Sequence, residues 1–280
     1  ALGRSDAVEL AAGRPDEIVG NETVRRDLPE CDVEIWDSLG ERCGWRTLEE
    51  RLTSRRFEVL GIGEETASAH EALRAARIVK RAHPDCTVVA GGVHFAHAIE
   101  DTLADPSVDV IVRGEGEQTF VELLRNIDTP SAWRMIPGLA FRGSDGHPVI
   151  TAARSLIEDL DNLPRPAYDL FDLRRYGRGS RNHPALVSLE HSRGCVDSCS
   201  FCILWKHMGR NVDGNGDVRP CYRSKSAARS FDEVAWLFNL RGPIKPPDEV
   251  VMVVIDQHAA STLFLPRDPE KFNRCEDLRV

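Results

Sequence analysis

Three short apolar runs, each stopped by glycine, constrain the fold of this chain more than any other feature. They are Phe57-Glu58-Val59-Leu60-Gly61-Ile62-Gly63, Thr87-Val88-Val89-Ala90-Gly91-Gly92, and Val108 to Val112 leading into Arg113-Gly114-Glu115-Gly116-Glu117. Continuous apolar runs of this length suit strands buried on both faces, as in parallel sheets. Between the first two, Ser68 to His83 places Ala69, Ala72, Leu73, Ala76 and Ile78 or Val79 on one helical face, and Pro84 closes it. Thr47 to Arg55 reads as a shorter helix, and Asp32 to Trp36 alternates as a half-buried strand. Strands alternating with helices predict an α/β domain: a doubly wound parallel sheet with helices on both faces. Residues 1–30 are polar and broken by Gly13, Pro15, Gly20 and Pro29, and they offer no strand pattern.

Ligands of such sheets sit beyond the carboxyl ends of the strands. Three loops fall on that edge: Gly61 to Thr66, Gly91-Gly92-Val93-His94, and Arg113 to Glu117. Glycine there lets backbone approach a ligand closely. Taken singly, each is a plain strand-to-helix turn. None matches a dinucleotide fingerprint, because Gly61-x-Gly63 has no third glycine and Gly114-x-Gly116 runs straight into Glu117-Gln118-Thr119. His94 reads as a polar group lining the crevice; His97 shares its helix face, with no third metal ligand nearby.

The second constraint is Ser188 to Trp205, SLEHSRGCVDSCSFCILW, which sets Cys195, Cys199 and Cys202 at Cys-x3-Cys-x2-Cys spacing behind the turn residue Gly194. Soft thiolates suit zinc and iron-sulfur clusters alike. A closed zinc site wants four ligands and would need Cys221, Cys275 or His207 to complete it. A four-iron cluster on three cysteines leaves one iron open for chemistry. The remaining thiols, Cys31, Cys43 and Cys86 with Cys221 and Cys275, are scattered.

Length and charge narrow the classes further. The 280 residues suggest about two domains. A net charge of -9 argues against a nucleic-acid surface, and the arginines at 174, 175, 178 and 181 form only a short, glycine-interrupted cluster. No apolar run is long enough to span a membrane and no signal peptide is apparent, so the cytoplasm is the expected location. Eight cysteines, three of them clustered, fit a reduced metalloprotein better than a disulfide framework. Asp213 to Asp217 looks like a calcium loop but lacks glycine at the sixth position and glutamate at the twelfth, and reads as a surface loop.

Arg193-Gly194-Cys195 with Cys199-Ser200-Phe201-Cys202 resembles the signature loop of the radical S-adenosylmethionine enzymes. Val88 to His94, followed by Val110 to Phe120, resembles the cobalamin-binding domain that precedes the radical core in the B12-dependent subfamily. The resemblance implies a [4Fe-4S] cluster on Cys195, Cys199 and Cys202, S-adenosylmethionine on the open iron, and Phe201 near its adenine. It also implies cobalamin against Gly91, Gly92, His94, Arg113, Gly114, Glu115 and Gly116. No histidine is expected on the lower cobalt face, although His70 lies in the right loop: the near match Asp256-x-His258-x-x-Ser261 falls in the wrong domain and reads as a strand-end turn.

The implied organisation is a cobalamin-binding domain at 31–130, a hairpin and linker at 131–183, and the N-terminal part of a (β/α) radical barrel at 184–280. That barrel would begin with a strand at Ala185 to Glu190, a helix at Ser230 to Leu240 and a strand at Glu249 to Ile255, and it stops incomplete. The implied activity is reductive cleavage of S-adenosylmethionine to a 5'-deoxyadenosyl radical, for methyl transfer to, or rearrangement of, a small organic substrate. An electron donor such as flavodoxin or ferredoxin is the expected partner. Two other readings stand beside it: a non-catalytic cobalamin or cluster module that needs a missing barrel half, and a zinc-bound α/β scaffold.

Overall fold

A computed structural model describes residues 6–10, 22–38, 41, 43–63, 66–170, 186–211, 217–241, 251–256 and 259–264. The arginine cluster at 174–181, most of the loop 213–217, the residues Glu64, Glu65 and His258, and Cys275 lie outside them.

The first half is a seven-stranded sheet. Its elements run β1 (Asp6–Leu10), α1 (residues 22–27), β2 (Asp32–Ile35), α2 (Trp45–Ser54), β3 (Val59–Gly63), α3 (Ala69–Ala82), β4 (Thr87–Gly91), α4 (Gly92–His97), α5 (Ile99–Ala104), β5 (Val110–Val112), α6 (Gly116–Arg125), β6 (Leu139–Arg142) and β7 (Pro148–Ile150). The strand order is β2-β1-β3-β4-β5-β6-β7. The first five strands are parallel, and β6 and β7 join antiparallel.

The glycine-stopped runs form the centre because their side chains find apolar partners on both sides. Leu60, Ile62, Val88, Ala90 and Ile111 face one core with Leu52 of α2, Ala72, Ala76 and Val79 of α3, and Phe95 of α4. Val59, Val89, Val110 and Val112 face the other, with Val121, Leu123 and Leu124 of α6, Trp133, Val24 and Leu28. This is the doubly wound arrangement the alternation implies.

Two features differ from the sequence-based expectation. The segment 1–30, which shows no strand pattern, supplies β1, inserted between β2 and β3 with Val8 opposite both Glu34 and Leu60. The hairpin placed in a connector instead extends the sheet, Ile111 of β5 pairing with Ala140 of β6.

The second half contains β8 (Leu186–Leu189), β9 (Ser192–Gly194), α7 (Leu204–His207), β10 (Arg210–Asn211), β11 (Val218–Arg219), β12 (Tyr222–Ser224), α8 (Ala227–Arg241), β13 (Val251–Asp256) and β14 (Ala259–Phe264). The expected first strand, first helix and second strand appear as β8, α8 and β13, and β13 lies parallel to β8 with Val251 opposite Leu186. After β13, however, β14 returns antiparallel instead of starting another βα unit. Val234 and Leu237 of α8 pack on Leu189, Ala167 and Tyr168, which docks this half on the preceding linker. Helix α8 is further pinned by Lys225, whose Nζ is fully buried between the two carboxylate oxygens of Glu233 at 3.0 and 2.8 Å.

Candidate functional site

The carboxyl ends of β3, β4 and β5 open into a cleft whose lining includes Gly61, Gly63, Gly91, Gly92, Gly114 and Gly116. Gly92 and Gly114 take positive φ, 84° and 71°, as the sharp exits from β4 and β5 require. Six of the thirteen lining residues from the sheet half are glycines, so part of that surface is bare backbone, flanked by Val112 and Phe120. The second half of the chain contributes Arg193, His207 and Met208 to the lining. The cleft thus lies where the sheet meets the cysteine segment.

Of the expected ligand-facing residues, Gly91, Gly92, Gly114, Glu115 and Gly116 line this cleft, while His94 and Arg113 stand outside its lining. Nδ1 of His94 sits 3.2 Å from Oγ1 of Thr66. Arg113 is spent on the hairpin: its Nη1 donates to Thr151 O at 3.1 Å and its backbone N–H to Gly138 O at 2.7 Å. Glu115 belongs to the lining, but its carboxylate is engaged in a buried ion set.

That set is the feature sequence reasoning misses. Arg193, 1% exposed, reaches Glu190 at 2.7 Å, Glu115 at 3.2 Å and Glu117 at 2.6 Å. Arg223 approaches Glu115 at 2.9 Å through Nη2, and the Ile157 N–H donates to Glu115 Oε2 at 2.6 Å. Burial alone opposes the Arg193 charge, yet Glu117, Glu190 and Glu115 more than restore it and hold its pKa well above the usual arginine value. Burial likewise opposes ionisation of Glu115, but hydrogen bonding from Arg223 and the charges of Arg193 and Arg223 prevail, so its pKa lies below the usual carboxylate value. The second oxygen of Glu117 is buried and takes no hydrogen bond among the described residues. The only sequence signal was the alternation of two acids within a glycine loop; their partners lie 76 and 78 residues away.

The cysteine loop leaves β9 immediately after this arginine. Gly194 has φ of 89°, and a Cβ there would lie 1.7 Å from Cys221 O, so the turn admits no side chain. Cys195 is buried, and its sulfur accepts the Asp197 N–H at 3.2 Å. Cys199 is exposed and Cys202 half-buried. The loop between them is closed by Cys202 N–H to Cys199 O at 3.1 Å and by Trp205 Nε1 to the same oxygen at 3.0 Å. Phe201 projects outward, 92% exposed, and Val196 and Ile203 of the same segment are exposed as well. Among the described residues, no three His, Cys, Asp or Glu side chains close around a single metal ion. Cys221, one of the candidates for a fourth ligand, lies beside β9 through its backbone and accepts at Sγ from Arg210 at 3.6 Å. The ring of His207, which lines the cleft, comes within 5.4 Å of the ring of His97. Partial desolvation, with Arg113 and Lys206 adding like charge, holds His97 below the usual histidine pKa.

Residues 21–124 match the B12-binding domain family. This part of the chain is similar to B12-binding domains. The match begins at α1, ahead of the start expected at residue 31, and ends at α6. The chain is 30% identical over 191 residues to an uncharacterized methyltransferase of Pyrococcus horikoshii, covering 68% of this chain and 41% of that one. It is also 30% identical over 179 residues to the anaerobic magnesium-protoporphyrin IX monomethyl ester cyclase of Rubrivivax gelatinosus, covering 62% of this chain and 32% of that one. The chain therefore spans less than half the length of these relatives. Among solved structures, the radical S-adenosylmethionine methyltransferase TsrM of Kitasatospora setae, with cobalamin and a [4Fe-4S] cluster bound, superposes with a TM-score of 0.60 at 18% identity, over 91% of this chain and 48% of that one. The likeness extends beyond the B12-binding domain into the cysteine half, and the chain is similar to cobalamin-dependent radical S-adenosylmethionine proteins.

Proposed function

We propose that this chain is a cobalamin-dependent radical S-adenosylmethionine protein acting on a small organic substrate, by methyl transfer or by rearrangement. The observation that carries the proposal is the shared cleft: the glycine edge of the sheet and Arg193, on the strand leading into three clustered cysteines, both line it.

Each part of the chain has a definable task. Gly91, Gly92, Gly114 and Gly116 give cobalamin an open backbone floor. Cys195, Cys199 and Cys202 supply three soft thiolates for a [4Fe-4S] cluster, the Asp197 N–H stabilising the charge on the first. Exposed Phe201 offers an aromatic face for the adenine of S-adenosylmethionine. When bound, the cluster and S-adenosylmethionine supply radical generation and cobalamin supplies methyl-group carriage. Electrons come from a small reductase partner such as flavodoxin or ferredoxin.

The test is anaerobic reconstitution with iron, sulfide and hydroxocobalamin, comparing the wild type with Cys199→Ala. The wild type is expected to gain visible cluster absorbance and bound corrin; the variant is expected to lose most of the cluster absorbance and still to take up corrin at saturating hydroxocobalamin. Unchanged cluster absorbance in Cys199→Ala would remove that residue from the ligand set, and zinc in place of iron would replace the reading with a scaffold.

A further inference from the structure

The two cofactor surfaces of the functional reading, on which this inference rests, are joined by one buried ion set. Arg193 stands two residues before Cys195, and its guanidinium grips Glu115 at 3.2 Å and Glu117 at 2.6 Å on the loop that lines the corrin cleft. On the other side of the strand pair, Arg223 lies opposite Arg193 in the β9–β12 register and approaches the same Glu115 at 2.9 Å. The strand has little slack. Its next residue, Gly194, is seated against Cys221 O, and the Cys195 N–H donates to that oxygen at 3.2 Å. A shift of the Gly114 to Glu117 loop therefore pulls on Arg193 and, through it, on the first thiolate. Glu117 also lines the cleft, so the ion set reaches the ligand side of the loop directly, and its second carboxylate oxygen takes no hydrogen bond among the described residues.

We propose that Arg193 is a positioning residue that couples corrin seating to cluster retention, so that each cofactor binds more tightly when the other is present. Binding at two sites that bias one shared arrangement is reciprocal: whatever factor the cluster adds to corrin affinity, corrin adds to cluster affinity. Simple structural glue would raise stability without making either affinity depend on the other.

The experiment uses the whole chain, anaerobically, with and without a reconstituted iron-sulfur cluster. Hydroxocobalamin is titrated into both forms, and iron release to a chelator is followed with and without hydroxocobalamin. The wild type is expected to bind corrin about fivefold or more tightly when the cluster is present, and to release iron correspondingly more slowly with corrin. Arg193→Lys keeps the charge but not the three-way fork, and its affinity ratio is expected to fall close to one while both cofactors still bind. Glu117→Gln leaves Arg193 with Glu115 and Glu190, and should lose at least half of the ratio; it decides the matter if Arg193→Lys does not fold. Wild-type ratios in these variants, or a wild-type ratio of one with both cofactors bound, overturn the coupling and leave the functional reading intact. A wild type that takes up neither cofactor overturns the functional reading, and the coupling with it.

Discussion

Gly194 occupies a backbone conformation and a space that admit no side chain, and it is the last residue before the first clustered cysteine. Gly194→Ala should cost at least about 2 kcal/mol, from the left-handed φ and the contact with Cys221 O, and should lower iron uptake along with the urea midpoint. Glu115 makes a prediction of a different kind. Its folded pKa lies below the ordinary value of 4.5, so its contribution to stability is complete above that pH and is lost as the pH falls through the lower folded value. Urea midpoints measured from pH 6 down to pH 3 should fall in the acid part of that range, and Glu115→Gln should start lower and fall less steeply. A variant curve parallel to the wild type would place the acid sensitivity elsewhere. These residues were unequally legible. The glycines and cysteines declare themselves by local spacing, whereas the role of Arg193 depends on carboxylates that only the fold brings within 3.2 Å.

At the scale of elements, the central strands are readable because apolar residues on both faces leave them nowhere to go except between two helical layers. Strand β1 is not readable: Asp-Ala-Val-Glu-Leu neither alternates cleanly nor runs continuously apolar, and it belongs to the sheet by virtue of its neighbours β2 and β3. The same holds for the hairpin β6–β7, whose sequence announces two strands but not the partner they join. Leu28, 4% exposed beyond α1, tests whether the N-terminal segment is integral to the domain. Leu28→Ala should destabilise by about 2–4 kcal/mol in urea unfolding, the usual range for a buried leucine truncated to alanine. A change within about 0.5 kcal/mol, typical of a surface site, would show that the segment packs only loosely.

At the scale of the whole molecule, the sheet and the cysteine half share a cleft and a buried ion set, so the two halves are expected to lose structure together. Breaking such a set by removing one partner costs about 3–5 kcal/mol, since the charges left behind are buried. Arg193→Gln should accordingly lower the unfolding midpoint of both halves, and a variant in which only the cysteine half melts early would argue that the sheet stands alone. No helix of the described residues is long and apolar enough to cross a membrane. The most direct measurement of the central claim is anaerobic reconstitution with iron, sulfide and hydroxocobalamin, followed on one sample by metal analysis, visible spectra and an assay for S-adenosylmethionine cleavage. The account predicts about four irons per chain, bound corrin, and 5'-deoxyadenosine formed on reduction. Stoichiometric zinc with neither corrin nor cleavage would contradict it.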